Sequence, residues 1–168
     1  MTAANDAAAA IPDKPEILDA LGRTQQFSGD FNQAMSTYGK LSTLQPNSPL
    51  AQMRLAEINL ANKNKDEAAK SLKKALDIKP DLIEAQRGLI LLALDAKKPN
   101  EALSIARQVQ QQKPKEPVGF VLEGDIYASE KAWPEAIKAY QNGLKQVAVP
   151  ELAIKLHSAL LASGNTPE

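Results

Sequence analysis

Pro46, Pro80 and Pro114 stand 34 residues apart, and Pro12 extends the series backwards. Ala34, Ala68, Ala102 and Ala136 keep the same step. Gln33, Glu67, Glu101 and Glu135 precede them, and Asn32, Asp66, Asn100 and Pro134 come just before those. Leu21, Leu55 and Leu89 form a further column, which Glu123 interrupts at the fourth place. A period of this length, carried in several columns at once, restricts the chain to a stack of small units. One such unit cannot cover its own apolar face and must bury it against its neighbours.

Each column has a physical reading. Asn32, Asp66 and Asn100 are expected to be N-caps, because their side chains accept from free backbone N–H groups. Pro134 suits the same place as a first-turn proline with no donor to waste. The acidic residue that follows favours the positive end of the helix dipole. The alanine then marks the closest approach of the paired helix. Ala68, Leu72, Ala75 and Leu76 share one face of a helix that ends at the proline, which has no N–H and restricts the residue before it. The first half of each unit is also helical. Ala51, Leu55, Ile58 and Asn62 make one stripe, and Leu89, Leu92, Ala93 and Ala96 another. The polar stretches SGDFN, NKNKD, AKKPN and EKAWP are the turns between the two helices.

A helix, a turn, a second helix and a turn in 34 residues resembles the tetratricopeptide repeat. Residues 21–46 carry the resemblance most fully, with Leu21-Gly22, Gly29-Asp30-Phe31, Ala34, Tyr38 and Pro46. The fourth unit repeats it with Gly124, Tyr127, Ala136 and Tyr140, whereas the second and third place Ala56 and Ile90 at the small position. The resemblance implies an all-α fold, a right-handed α-solenoid of helix-turn-helix repeats. Four repeats are expected at about 15–48, 49–82, 83–116 and 117–149. Residues 1–14 are then an N-terminal tail or the remnant of a preceding repeat helix, and 150–168 the first helix of a truncated fifth repeat acting as a cap. In that helix Leu152, Leu156, Leu160, Ala153 and Leu161 are expected to pack on the preceding unit and leave an outer face open. The open end makes the chain a monomer or a weak end-to-end self-associating species. By analogy with Pro134-Glu135-Ala136, an alanine is expected to follow Glu168.

Little else in the chain carries chemistry. Cysteine is absent, so thiolate and disulfide chemistry are excluded. The lone His157 cannot build a multi-histidine metal site and reads as a surface or packing residue. Phosphate-cradling and zinc-protease motifs are missing, and the carboxylates sit beside lysines, as Glu67 does beside Lys70, in solvated pairs. The expectation is no enzyme, no metal and no cofactor. Lys and Arg number 20 and Asp and Glu 20, which argues against a basic nucleic-acid-binding face. No apolar run reaches the ~18 residues of a membrane span. Trp133 and Phe31 share one repeat position and read as packing aromatics, as do Tyr38 and Tyr140. The cluster Lys63, Lys65, Lys70, Lys73 and Lys74 reads as a solvated helix face.

Function is then left to the surface. The resemblance implies a concave wall lined by the first helices. Its positions fall on Glu16, Asp19, Arg23 and Gln26; on Met53, Glu57 and Leu60; on Glu84, Arg87, Leu91 and Leu94; and on Val118, Val121 and Asp125. For Leu91 and Leu94 two readings stand, groove exposure or cover by adjacent helices. The family's Lys and Asn clamp for a C-terminal carboxylate is not matched, since Asp19, Arg23, Arg54, Glu84 and Gly88 stand at its places. A strip of apolar residues with a few charges suits an extended or helical segment of a protein ligand. In texture the chain also resembles the TPR-repeat lipoproteins of the PEP-CTERM/exosortase system, associated with exopolysaccharide loci. That resemblance implies a periplasmic or membrane-anchored place, through a lipoprotein signal upstream. The alternatives are an RNA-binding helical repeat, or the regulatory array of a larger export protein.

Overall fold

A computed structural model describes residues 13–164 together with Asp6, Ala10 and Ile11. Pro12, most of the N-terminal tail and the last four residues, 165–168, lie outside the described residues, and so do the expectations placed on them. Among the described residues there is no strand. Helices α1 (Pro15–Phe27), α2 (Phe31–Leu44), α3 (Leu50–Ala61), α4 (Lys65–Ile78), α5 (Ile83–Asp95), α6 (Pro99–Gln112), α7 (Val118–Ser129), α8 (Trp133–Gln146) and α9 (Pro150–Ala162) follow in order. Two compact units result, 1–88 and 89–168, and their division falls inside α5. In the first unit α1 packs on α2, α2 on α3 and α3 on α4; in the second α6 packs on α7, α7 on α8 and α8 on α9.

The second helices end where the prolines require, at Leu44, Ile78 and Gln112, two residues before Pro46, Pro80 and Pro114. Their starts differ from the N-cap expectation. The residues before α2, α4, α6 and α8 are Asp30, Asn64, Lys98 and Ala132, and none makes a side-chain cap bond. Asn32, Asp66, Asn100 and Pro134 therefore lie inside the first turn. The turn itself brings the helix start forward. Gly29, Lys63, Lys97 and Lys131 all have positive φ, between 57° and 81°. In the second repeat the Lys63 N–H donates to the Leu60 carbonyl at 3.0 Å and the Asn64 N–H to the Asn59 carbonyl at 2.7 Å. This double bond pattern satisfies the last carbonyls of the first helix by a Schellman turn. Lys97 with Lys98, and Lys131 with Ala132, repeat it.

The alanine column behaves as its size dictates: Ala34, Ala68, Ala102 and Ala136 are 0% exposed. In the first unit Leu18, Tyr38, Leu41, Ala51 and Ile58 form a core with Phe31, Met35 and Leu55 against it. In the second, Val121, Ala136, Tyr140, Leu152 and Ala159 do so, with Trp133 and Tyr127 among the packed neighbours. Both tyrosines need a missing side chain opposite them. A Cβ on Gly22 would lie 2.5 Å from the Tyr38 ring, and one on Gly124 would overlap the Tyr140 ring. In the repeats between, the same two positions hold Ala56 with Leu72 and Ile90 with Ala106, and all four residues are buried. As one side chain of the pair grows the other shrinks.

At α9 the packing expectation is met by Leu152 and Leu156 but not by Ala153 and Leu161, which are exposed. The turn after α9 comes 33 residues after its predecessor, at Gly164 rather than at residue 165, so the face of α9 is rotated relative to a strict repeat.

Two stability measurements check this account. Lys63→Gly, Lys97→Gly and Lys131→Gly should each raise the unfolding free energy measured in urea by about 0.5–1 kcal/mol, because a non-glycine residue in the left-handed region is strained. Gly29→Ala should lower it by a similar amount. Gly124→Ala should cost about 1–3 kcal/mol by overpacking, and most of that loss should disappear in a Tyr140→Leu background.

Candidate functional site

The turn residue fixes a register for every first helix. Counted back from it, positions three, six and ten hold Gln26, Arg23 and Asp19 in α1; Leu60, Glu57 and Met53 in α3; Leu94, Leu91 and Arg87 in α5; Ala128, Asp125 and Val121 in α7; and Leu161, Ser158 and Ile154 in α9. The face expected from the sequence is thus one register repeated.

In the first unit this face is polar. Arg23, Glu57, Glu84 and Arg87 are exposed, Leu60 is 42% exposed, and Met53 and Asp19 are half-buried. Asp19 and Glu57 are already engaged. The Arg54 Nε donates to Asp19 Oδ1 at 3.0 Å, and its Nη1 donates to Glu57 Oε2 at 3.0 Å. Arg54 therefore ties α3 to α1 with a guanidinium fork between two carboxylates. Among the described residues no ion pair or hydrogen bond holds Arg23, Glu84 or Arg87, so these three charges face solvent.

In the second unit the face is mostly apolar. Leu91 is 67% exposed and Leu94 half-buried, which decides in favour of exposure for Leu91. Val121 is a correction: it is 4% exposed and belongs to the core with Tyr140 and Leu152. Asp125 is half-buried and spoken for. Its Oδ1 accepts from the Tyr140 hydroxyl at 2.6 Å, and both its oxygens accept from the Lys155 Nζ, at 2.9 and 2.8 Å. Ile154, 66% exposed, and Leu161, 51% exposed, occupy the face register of α9 and were not among the sequence candidates. Their signal was present in the sequence, but a strict 34-residue step misplaces it by one residue.

The interrupted leucine column also finds its reason here. Glu123 accepts from Arg107 Nε at 3.0 Å and from Gln110 Nε2 at 2.7 Å, and Arg107 also donates to the Tyr127 hydroxyl at 3.1 Å. Where Leu55 packs against the core of the first unit, Glu123 instead makes a polar clasp between α6 and α7. Beside it a shallow depression of about 720 Å³ is lined by Asn100, Ser104, Arg107, Gln108, Gln111 and Tyr127. His157 and the lysine cluster are exposed, and Glu67 pairs with Lys70 at 2.6 Å. Among the described residues no group of three or more His, Cys, Asp and Glu is arranged to hold a metal ion. No helix among them is long and apolar enough to cross a membrane.

Residues 28–92 match the tetratricopeptide repeat family. Over 78 residues, 46% of this chain, the sequence is 36% identical to the protein O-mannosyl-transferase Tmtc3 of Drosophila melanogaster, and the chain spans only 8% of that relative's length. Among solved structures, MamA is similar with a TM-score of 0.67 at 23% identity, covering 86% of this chain and 85% of the other. TTC0263, a thermophilic TPR protein of Thermus thermophilus, gives 0.64 at 23% identity, over 95% and 88%. YrrB, described as a TPR protein with an unusual peptide-binding site, gives 0.62 at 14% identity, over 97% and 84%. At these identities the likeness establishes the fold, an α-solenoid of helix pairs.

The two buried phenols give a pH test. Burial, followed by the nearby Asp19 carboxylate, pushes Tyr38 up to about 12, and burial with the Asp125 hydrogen bond pushes Tyr140 well above the ordinary tyrosine range. An unfolded tyrosine loses its proton near 10.0 while Tyr38 in the folded chain retains its own. The folded state then binds more protons, and stability must fall as pH rises above that value. The urea midpoint should drop between pH 10 and about 12. The drop should be shallower in Tyr38→Phe and Tyr140→Phe than in the native chain.

Proposed function

The helix pairs of this chain are tetratricopeptide repeats, and on that premise we propose that it is a non-enzymatic scaffold holding a segment of another protein on its first-helix face. The observation that carries the reading is the register itself. Successive first helices expose Arg23, Glu84 and Arg87, which no ion pair or hydrogen bond holds among the described residues, together with Leu60, 42% exposed. A fold stabilised by its own core would gain nothing from exposed leucines at repeated positions, and apolar anchors among unpaired charges are what peptide recognition uses. Met53 adds an adaptable contact. The description of YrrB as peptide-binding supports the same use of the fold. The balanced charge gives a polyanion no general attraction.

The setting we propose is a bacterial envelope assembly of the exopolysaccharide or protein-sorting kind, held in the periplasm or at a membrane by a segment upstream. Its support is the sequence resemblance to the PEP-CTERM-associated lipoproteins. Fractionation of cells carrying the full natural protein tests it, and recovery in the cytosol overturns it.

The binding reading is checked by selecting ligands from a random peptide display library. Selected peptides should lose affinity by about tenfold or more, roughly 1.4 kcal/mol, for Met53→Ser/Arg87→Ser, with helicity and melting unchanged. Selected peptides that bind the double variant equally well would move the site off this face.

A further inference from the structure

We propose that the depression between α6 and α7 is a second binding site, one for an uncharged polyhydroxylated chain, a neutral oligosaccharide. It stands apart from the first-helix face and from the peptide reading. One stripe of α6 lines it together with Tyr127. Tyr127 lies four residues before its turn residue, outside the face register of positions three, six and ten.

The stripe on α6 is set apart from its counterparts in the other repeats. Asn100, Ser104, Gln108 and Gln111 follow one another at helical spacing and line the depression together. One period earlier α4 carries Asp66, Lys70, Lys74 and Asp77 at these positions, all of them charged. The same positions include Lys40 in α2, and Lys138 and Lys145 in α8. Among these four second helices only α6 has a wholly uncharged stripe. Its three amides and one hydroxyl are exposed, and among the described residues no hydrogen bond holds them. Each is a donor and an acceptor at once. A ligand that covers them restores the hydrogen bonds lost to water only if it too offers both, as a sugar hydroxyl does.

The opposite wall is fixed before a ligand arrives. Glu123 accepts from the Arg107 Nε on one oxygen and from the Gln110 Nε2 on the other, and Arg107 donates to the Tyr127 hydroxyl at 3.1 Å. That hydroxyl keeps its own proton to donate. Tyr127 also brings a half-buried ring, an apolar body behind a polar tip. A wall already ordered spares the ligand the cost of ordering it.

Charge and polarity then select the occupant. Arg107 is the charged residue lining the depression, and the Glu123 carboxylate neutralises it. Glu101, the other charged residue of α6, pairs with Lys98 at 3.8 Å, and Lys113, just past its end, pairs with Glu116 at 3.2 Å. A smaller depression of about 210 Å³ shares Arg107 and Tyr127 and adds Glu135 and Lys138, of opposite sign. An anionic ligand would meet the Glu123 carboxylate wherever it met Arg107. A peptide would need apolar anchors, but Leu103, the aliphatic residue of the lining, is only 8% exposed. Size suits a short chain. The depression holds about 720 Å³, within the ~300–1,000 Å³ of small-ligand clefts, and the stripe runs roughly 16 Å along α6.

The test applies the full chain to a printed array of neutral, uronate-bearing and amine-bearing oligosaccharides. The neutral member that binds best is then titrated by calorimetry. Binding should be confined to neutral members. Gln108→Ala/Gln111→Ala should weaken it about tenfold or more, with an unchanged melting curve because both side chains are exposed. Met53→Ser/Arg87→Ser should leave it as it is. No binding to any neutral member, equal binding of the charged members, or no effect of Gln108→Ala/Gln111→Ala overturns the inference. A display-selected peptide that loses affinity in Gln108→Ala/Gln111→Ala and keeps it in Met53→Ser/Arg87→Ser would put a protein segment in the depression and overturn it as well.

Discussion

The fold depends on a volume exchange inside each helix pair. A phenol ring can lie across the neighbouring helix only where that helix carries no side chain, and Gly22 under Tyr38 and Gly124 under Tyr140 meet this condition. Close packing makes the exchange strict, since interiors leave no room for an extra methyl group without moving rigid atoms. The two middle pairs reach the same result by other means. Ala56 is matched with Leu72, and Ile90 with Ala106. The repeats look degenerate when one position is read alone and regular when the two positions are read together.

The turns complete this geometry. Each hairpin turn passes through a residue of left-handed backbone that reverses the chain and satisfies the last carbonyls of the first helix, and the second helix begins two residues later with no side-chain cap bond. Lysine holds this conformation in three of the four inter-helix turns, and glycine only in the first. With the pairs fixed by ring and turn, the face register of the first helices is divided between buried Val121, paired acids and exposed side chains. Polar clasps consume part of it. Arg54 takes up Asp19 and Glu57, and Lys155 takes up Asp125.

The fold was largely legible in the sequence because its signal is periodic. The alanine and proline columns report contact distance and helix ends directly, and both kept their places. What escaped the sequence was set by geometry within the period. The helices start one residue before Asn32, Asp66 and Asn100, at Phe31, Lys65 and Pro99, so those side chains fall inside the first turn rather than at its cap. Val121 reads as a face residue by its position and is drawn into the core because α9 supplies Leu152 beside the same cluster. Ile154 and Leu161 were missed because one residue is dropped from the spacing of the last turn. The pairing of Asp19 and Asp125 with later residues was invisible, since each cation lies 30 or more positions downstream at a register that other repeats fill with alanine, glycine or leucine.

That last arrangement gives the array a fixed order. Nine residues before the turn, the first helices carry Ala20, Arg54, Gly88, Leu122 and Lys155, and of these Arg54 and Lys155 reach back to an acid on the preceding first helix. Hairpins of this kind are therefore not interchangeable cassettes. A duplication or shuffling event that set the third hairpin directly after the first would bring Gly88 to the place of Arg54 and leave Asp19 without a cation. Neighbouring hairpins in such a lineage must diverge together, and the sense of reading along the chain, from cation back to acid, is written into their side chains.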